Sequence, residues 1–263
     1  MNVGSYTLKK MIAEGAFGRT YLAEHRLLQM KVCIKQEKTD DPDYKKLFKE
    51  EAQILSGLRH PSLPVLLDYI EDLNPDIGQL MVLSYIEGDN LERDVEKNGF
   101  IDDEHLCWIA DRILGALSYL HYHSIVHSDL KPENIILDIP EHNATVVDMG
   151  MAATRPDEYS KAKGGTPFYL PPEFSLGKPP IPASDMYSLG MVLVRISGGD
   201  IRNGTLPADM HPKMQEWVST LIRRDPTQRP SEADHMRHEL GRLRKAMFGR
   251  TTTQELFKRR KKS

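Results

Sequence analysis

Three polar residues suited to group-transfer chemistry, Asp129, Lys131 and Asn134, crowd into the segment Val126-His127-Ser128-Asp129-Leu130-Lys131-Pro132-Glu133-Asn134-Ile135-Ile136-Leu137. There a carboxylate can orient and deprotonate a hydroxyl, an ammonium can hold a transferring phosphoryl group, and an amide oxygen can ligate a metal. Taken singly, each also suits a polar surface loop. Asp148 follows the β-branched pair Val146-Val147 and precedes Met149-Gly150. That placement fits a Mg2+ ligand at a strand end, and equally a turn residue. Further upstream, Lys35 closes the run Met30-Lys31-Val32-Cys33-Ile34-Lys35, and Glu51 lies in the segment that follows. A strand lysine ordinarily points to solvent, but an ion pair with Glu51 would aim its ammonium at a polyphosphate. The turn Gly15-Ala16-Phe17-Gly18 lets backbone N–H groups approach a phosphate, and is also what a plain hairpin needs.

The elements that must position these residues change texture along the chain. Strand-like runs cover Tyr6 to Ile12, Arg19 to His25 and Met30 to Lys35. Asp40-Asp41-Pro42-Asp43 is a helix-start signal, and Leu47, Phe48, Ala52, Ile54, Leu55 and Leu58 then recur at helical spacing. Pro64 to Tyr69 and Gln79 to Ile86 read as further strands. From there the pattern is helical. His105 to His123 carries Leu106, Ile109, Ala110, Ile113, Leu114, Leu117 and Leu120 on one side, and Met186 to Ile196 and Met214 to Ile222 are further helices.

Composition narrows the class. The 263 residues are 40% hydrophobic and 28% charged, an ordinary globular balance that excludes collagen-like and wholly disordered chains. No stretch approaches the ~18–20 apolar residues of a spanning helix, and the first residues lack a secretory pattern. Cys33 and Cys107 are too few for a disulfide framework or structural zinc site, so a reducing, cytoplasmic setting is expected. The net charge of −3 is unevenly spread: from Arg242 to Ser263 nine basic residues face one acid, Glu255, leaving −11 for the preceding 241 residues. Such a basic tail is a solvated end, or meets a membrane surface, nucleic acid or the acidic body itself.

Taken together and in order, these motifs resemble the eukaryotic-type (Hanks-type) protein kinases from about Tyr6 to Leu240. The family's signature set appears as Ala13-Glu14-Gly15-Ala16-Phe17-Gly18, Val32-Cys33-Ile34-Lys35, Glu51, His127-Ser128-Asp129, Asp148-Met149-Gly150 and Pro171-Pro172-Glu173. Asp185, and Arg229 in Arg223-Arg224-Asp225-Pro226-Thr227-Gln228-Arg229-Pro230, extend the match. The forms Asp129-Leu130-Lys131-Pro132-Glu133-Asn134 and Gly165-Thr166-Pro167-Phe168-Tyr169 are similar to the Ser/Thr branch, and Gly18-Arg19-Thr20-Tyr21-Leu22-Ala23 to bacterial members.

The resemblance implies an α+β, bilobal fold: a β-rich N-lobe over residues 1–85, a helical C-lobe over 86–241, and a basic, disordered tail over 242–263. It implies ATP and Mg2+ as cofactors, with ATP between the lobes. By the same carry-over Lys35, held by Glu51, grips the α- and β-phosphates under Gly15 and Gly18. Asn134 and Asp148 hold the metal, Asp129 accepts the substrate hydroxyl proton, and Lys131 neutralises the γ-phosphoryl group. Ile12, Thr20, Cys33 and Ile136 sandwich the adenine, Ser84 and Ile86 are hinge positions, and Leu83 is the gatekeeper. Glu173 pairs with Arg229. Partners are proteins bearing Ser/Thr acceptors, with the chain itself an added acceptor, and no nucleic acid or transmembrane segment. Three departures stand out: Ala13 for a loop glycine, Ser128 for the Arg that docks a phosphorylated activation loop, and Met149 for Phe. They motivate the alternative of a pseudokinase, a nucleotide-binding scaffold that transfers nothing. A small-molecule kinase is a further rival, opposed by the segment from Gly165 to Glu173.

Overall fold

A computed structural model of the chain describes residues 1–15, 18–38, 41–71, 77–251 and, for the backbone alone, 259–260. Ala16 and Phe17 of the glycine turn, Asp40, Thr252, Thr253 and Lys258 lie outside the described residues. Two compact units form.

The first comprises Met1–Glu87 and, returning from far along the chain, Asp148–Gly150. Its strands are β1 (Asn2–Val3), β2 (Tyr6–Glu14), β3 (Gly18–His25), β4 (Lys31–Glu37), β5 (Leu66–Glu71) and β6 (Gln79–Ser84), with helix α1 (Pro42–Ser56) between β4 and β5. They pair antiparallel in the order β1-β2-β3-β4-β6-β5. Val3, Tyr6, Ala23, Val32, Ile34, Leu80 and Val82 form a core on one face. Strand alternation along β4 then sends Cys33 and Lys35 to the opposite face. Helix α1 begins where the sequence predicts: the Asp41 side chain accepts from the Asp43 amide, and Pro42 opens the first turn. It buries Phe48, Ala52 and Leu55, and Glu51 lies on this same stripe. Burying side chains such as Phe48 and Leu55 contributes ~1.5–3 kcal/mol each, which fixes the rotation of the helix and carries Glu51 inward with it.

The second unit holds Gly88–Val147 and the chain from Met151 onward. In order come β7 (Asp89–Asn90), α2 (Leu91–Asn98), β8 (Phe100–Ile101), α3 (Asp103–Tyr122), β9 (Ile125–Val126), a 3-10 turn (Pro132–Asn134), β10 (Ile135–Asp138), β11 (Asn143–Val146) and β12 (Ala153–Thr154). There follow α4 (Pro172–Ser175), α5 (Pro182–Ser197), α6 (Pro212–Leu221), α7 (Ala233–Phe248) and β13 (Arg259–Arg260). The expected stripe of α3 is wholly buried, and Cys107, Trp108 and Ala116 join it, so the helix is apolar on nearly every side. It packs against α5, α7 and β11. Helices α5 and α6 approach closely because Gly190 lacks a side chain: a Cβ there would stand 2.5 Å from Ile222 Cγ2.

Helices α2, α4 and α7 were not among those expected. α2 is short and polar, begun by the Asn90 side chain accepting from the Arg93 amide, and its brief apolar content gave no periodic signal. α7 runs through Arg242, the expected start of the disordered tail, as far as Phe248, and buries Leu240 and Arg244. Its many cations mask an amphipathic pattern that packing against α3 uses. The division after Glu87 lies two residues beyond the expected boundary. No helix among the described residues is long and apolar enough to cross a membrane.

Candidate active site

In the first unit, Lys35 is drawn into a carboxylate pair. Its Nζ donates to Glu51 Oε1 at 2.8 Å, to Glu51 Oε2 at 2.7 Å and to Asp148 Oδ1 at 3.0 Å. The lysine and Glu51 side chains are only 11% and 2% exposed, so the pair is buried rather than solvated. Burial disfavours both charges. For Lys35 the two carboxylates outweigh it and the ammonium is held well above its ordinary range. For Glu51 burial prevails over the attraction of Lys35, because one cation is shared with Asp148, and the carboxyl is raised. Asp148 itself takes a left-handed backbone, φ 68°, and accepts from the Gly150 amide at 3.2 Å. Met149 is fully buried and its backbone hydrogen-bonds Glu51, so an apolar, flexible side chain fills this position without disturbing the pair.

The remaining first-unit positions surround β3 and β4. Gly18 abuts β4, where a Cβ would stand 2.5 Å from the Gln36 carbonyl oxygen, whereas at Gly15 the nearest atom is 4.0 Å away. Gly18 therefore answers to the sheet. Thr20 is paired with Lys35 across the sheet, and Cys33 with Leu83. Ile12 is half-buried on β2, and Leu83 is buried. Ser84 ends β6, its amide donating to the Val65 carbonyl and its hydroxyl accepting from the Val65 amide; Ile86 follows in the connecting segment. Burial pushes the Cys33 thiol up to about 11, which suits a small packing residue and not a reactive thiolate.

In the second unit the loop after β9 is held in a strained form. Ser128 has φ 68°, a cost of order 1–3 kcal/mol for a non-glycine residue. The Asp185 carboxylate, buried in the first turn of α5, offsets it by accepting from the amides of His127 and Ser128, each at 2.9 Å, and lies 2.9 Å from His121 Nε2. Burial opposes its charge, but these bonds prevail and hold the carboxyl below the usual range. Thus braced, the loop brings Asp129, Lys131 and Asn134 together. Lys131 Nζ lies 3.0 Å from Asp129 Oδ2, and Asn134 Nδ2 donates to the Asp129 carbonyl at 2.9 Å and to Oδ2 at 3.3 Å. Because the amide nitrogen is spent on Asp129, the amide oxygen is the atom left to meet a cation. The Val147 amide donates to the Asn134 carbonyl at 2.9 Å, tying the loop to the strand end. Ile136 is half-buried on β10.

One site residue goes beyond those read from the motifs. Thr166 Oγ1 donates to Asp129 Oδ1 at 2.9 Å and accepts from Lys131 Nζ at 2.9 Å, bridging the two. Only its place in Gly165-Thr166-Pro167 marked it. Ser128, where a guanidinium is usual, is buried and bonds the Val126 carbonyl, so no cation stands there. The expected Glu173–Arg229 pair is present and bidentate, at 2.8 and 2.6 Å.

The protein kinase domain family matches residues 6–240, and the chain belongs to that family. It is 30% identical over 249 residues to serine/threonine-protein kinase B of Synechocystis sp., covering 84% of this chain and 43% of that protein. It is also 32% identical over 204 residues to serine/threonine-protein kinase PrkC of Bacillus subtilis, covering 75% of this chain and 31% of that one. The chain thus spans less than half the length of these curated relatives.

Proposed function

We propose that this chain transfers the γ-phosphoryl group of ATP to Ser or Thr hydroxyls of proteins, with Mg2+, and phosphorylates itself as well. The observation that carries the reading is the joint presence of the Lys35–Glu51–Asp148 cluster and the Asp129–Lys131–Asn134–Thr166 network, one in each unit. Lys35 supplies a charge-assisted donor to the α- and β-phosphates, under the turn between Gly15 and Gly18. Ile12, Thr20, Cys33 and Ile136 line the adenine, with Ser84 and Ile86 at its polar edge beside Leu83. The donor set fits a hard cation: the Asp148 carboxylate and the Asn134 amide oxygen are oxygen ligands of the kind Mg2+ takes beside phosphates. Bound there, the metal would neutralise charge on the phosphate oxygens. Asp129 accepts the acceptor hydroxyl's proton, Lys131 stabilises the charge that develops on the phosphoryl oxygens, and Thr166 keeps both in register.

Every residue with a chemical role is present, which favours an enzyme over a scaffold. Both charge clusters are assembled in the unmodified chain, and Ser128 presents no guanidinium, so activity does not await phosphorylation of the segment between Gly150 and Pro171. The setting is cytoplasmic. The decisive experiment incubates the purified chain and its Asp129→Asn variant with labelled ATP, Mg2+ and a basic protein. Transfer by the parent and none by the variant is expected, and equal labelling of both would overturn the reading.

A further inference from the structure

Between Thr166 and Tyr169 the second unit makes a β-turn, the Tyr169 amide donating to the Thr166 carbonyl at 3.1 Å. Pro167 is the second residue of that turn and Phe168 the third, with φ 70°. A turn of this form calls for glycine or asparagine at the third place, because a Cβ crowds the left-handed backbone. Every other described non-glycine residue with positive φ is polar; Phe168 alone is apolar. Nor does burial offset the strain, for the residue stays 53% exposed.

The turn is pinned on both sides. Thr166 bridges Asp129 and Lys131 through its hydroxyl. Tyr169 is buried, and its carbonyl accepts from the Ser188 hydroxyl at 2.9 Å. Burial, and after it the nearby Glu133 carboxylate of the catalytic loop, raise the Tyr169 hydroxyl above its ordinary range. Leu170 lies over Gly165, where a Cβ would stand 2.1 Å from Leu170 Cδ1. These neighbours hold the Phe168 ring in water on a stiff support. Two residues of chain span at most ~7 Å, so Phe168 stands close to the Asp129 carboxylate that Thr166 touches. An exposed aromatic ring is ordinary by itself. One kept exposed by a strained backbone beside a catalytic carboxylate points to use.

We propose that Phe168 is a specificity-determining residue whose ring contacts a large apolar side chain of the acceptor protein. An extended peptide rises ~3.3 Å per residue, so with its hydroxyl at Asp129 the side chain two or three residues away reaches Phe168. The favoured substrates are proteins whose acceptor Ser or Thr has Leu, Ile, Met or Phe within three positions. The inference rests on the kinase reading for the acceptor site and adds the side chain recognised beside it.

The test uses the full chain with ATP, Mg2+ and synthetic peptides that carry one Ser acceptor, with Leu or a small polar residue at each of the three positions on either side. The parent should prefer the best Leu peptide to its polar counterpart about tenfold in kcat/KM, the low end for one apolar contact. Phe168→Gly suits the turn, so its melting temperature should equal or exceed the parent's. It should lose the preference through KM for the peptide, with KM for ATP unchanged, and Phe168→Tyr should retain it. The same Leu peptide with Ala as its acceptor should bind the parent about tenfold more tightly than Phe168→Gly by fluorescence anisotropy. Transfer without any Leu preference, or a preference kept in Phe168→Gly, overturns the inference and leaves the kinase reading standing. A lowered melting temperature in Phe168→Gly, with equal losses on all peptides, makes the residue structural and overturns it too. If the parent labels no peptide and no added protein, the kinase reading falls. The contact then survives only if the Ala peptide still binds the parent more tightly, and equal binding sinks both.

Discussion

The buried pairs Lys35–Glu51 in the first unit and Arg229–Glu173 in the second are built to different ends. Arg229 and Glu173, 0% and 2% exposed in their side chains, are saturated. The guanidinium also donates to the carbonyls of Arg223, Arg224 and Ala183 and lies over the Tyr187 ring, while Ser184 donates to Glu173. Burial opposes the Glu173 charge, but the hydrogen bonds from Arg229 and its neighbours prevail, and its carboxyl is lowered. Lys35 instead divides one ammonium between two carboxylates, and Glu51 is raised. A saturated pair locks structure. An ammonium shared between partners on a compact, rotatable head can turn to a phosphate at small cost.

The largest contrast should come from removing each cation. Lys35→Met should cut phosphotransfer about 10²–10³-fold, the usual loss for a charge-stabilising donor. Its melting should fall little, because Glu51 can take up a proton in place of its cation. Arg229→Ala should lose ~3–5 kcal/mol of stability, since Glu173 stays buried without its cation and the carbonyls of Arg223, Arg224 and Ala183 lose their donor. Urea titration of both variants checks this; equal destabilisation would erase the distinction.

A milder substitution sharpens it. Glu51→Gln keeps volume and leaves Lys35 to Asp148, so the rate should fall roughly tenfold, or ~1.4 kcal/mol in barrier, with the unfolding midpoint held. A rate equal to that of Lys35→Met would mean that the position of Lys35 depends wholly on Glu51.

Acidity should act on the pairs in opposite senses. Glu173, lowered from 4.5, contributes stability that is present above that value and is lost as pH falls through its folded pKa. Glu51, raised from 4.5, costs stability as pH climbs through its folded pKa, and the cost vanishes on acidification. Stability curves of Glu173→Gln should therefore flatten below about 4.5, and those of Glu51→Gln above it. Identical curve shapes would contradict the assigned directions.

The smallest effects should come from Thr154→Ala and Ser160→Ala. With Ser128 in place of a guanidinium, each should keep its rate within about twofold, the scale of an ordinary surface change. A collapse on losing the Ser160 hydroxyl, whose Oγ donates to Asp157 at 2.8 Å, would show that loop modification matters here after all.

Local pattern made much of this legible. Alternation along β4, the stripe of α3 and the Asp41-Pro42 start of α1 are short-range consequences of strand and helix geometry, and each element forms within a few residues of its expected bounds. The glycine turn, Lys35, Glu51 and the Asp129–Asn134 segment were readable because chemistry needs those types at those spacings. α2 and the end of α7 were not, since polar and basic residues hid their apolar faces.

By itself, then, the amino-acid sequence determined the longer apolar elements, the family and the order of the chemical groups, because those follow from patterns among near neighbours in the chain. Tertiary structure decided which groups touch. It buried Lys35 with Glu51 and returned Asp148 to the same unit, 113 residues on. It set Asp185 under the loop of His127 and Ser128, and the Thr166 hydroxyl between Asp129 and Lys131. Hydrogen bonds of about 3 Å between residues far apart in sequence depend on how whole helices and strands pack, and leave no periodic trace along the chain.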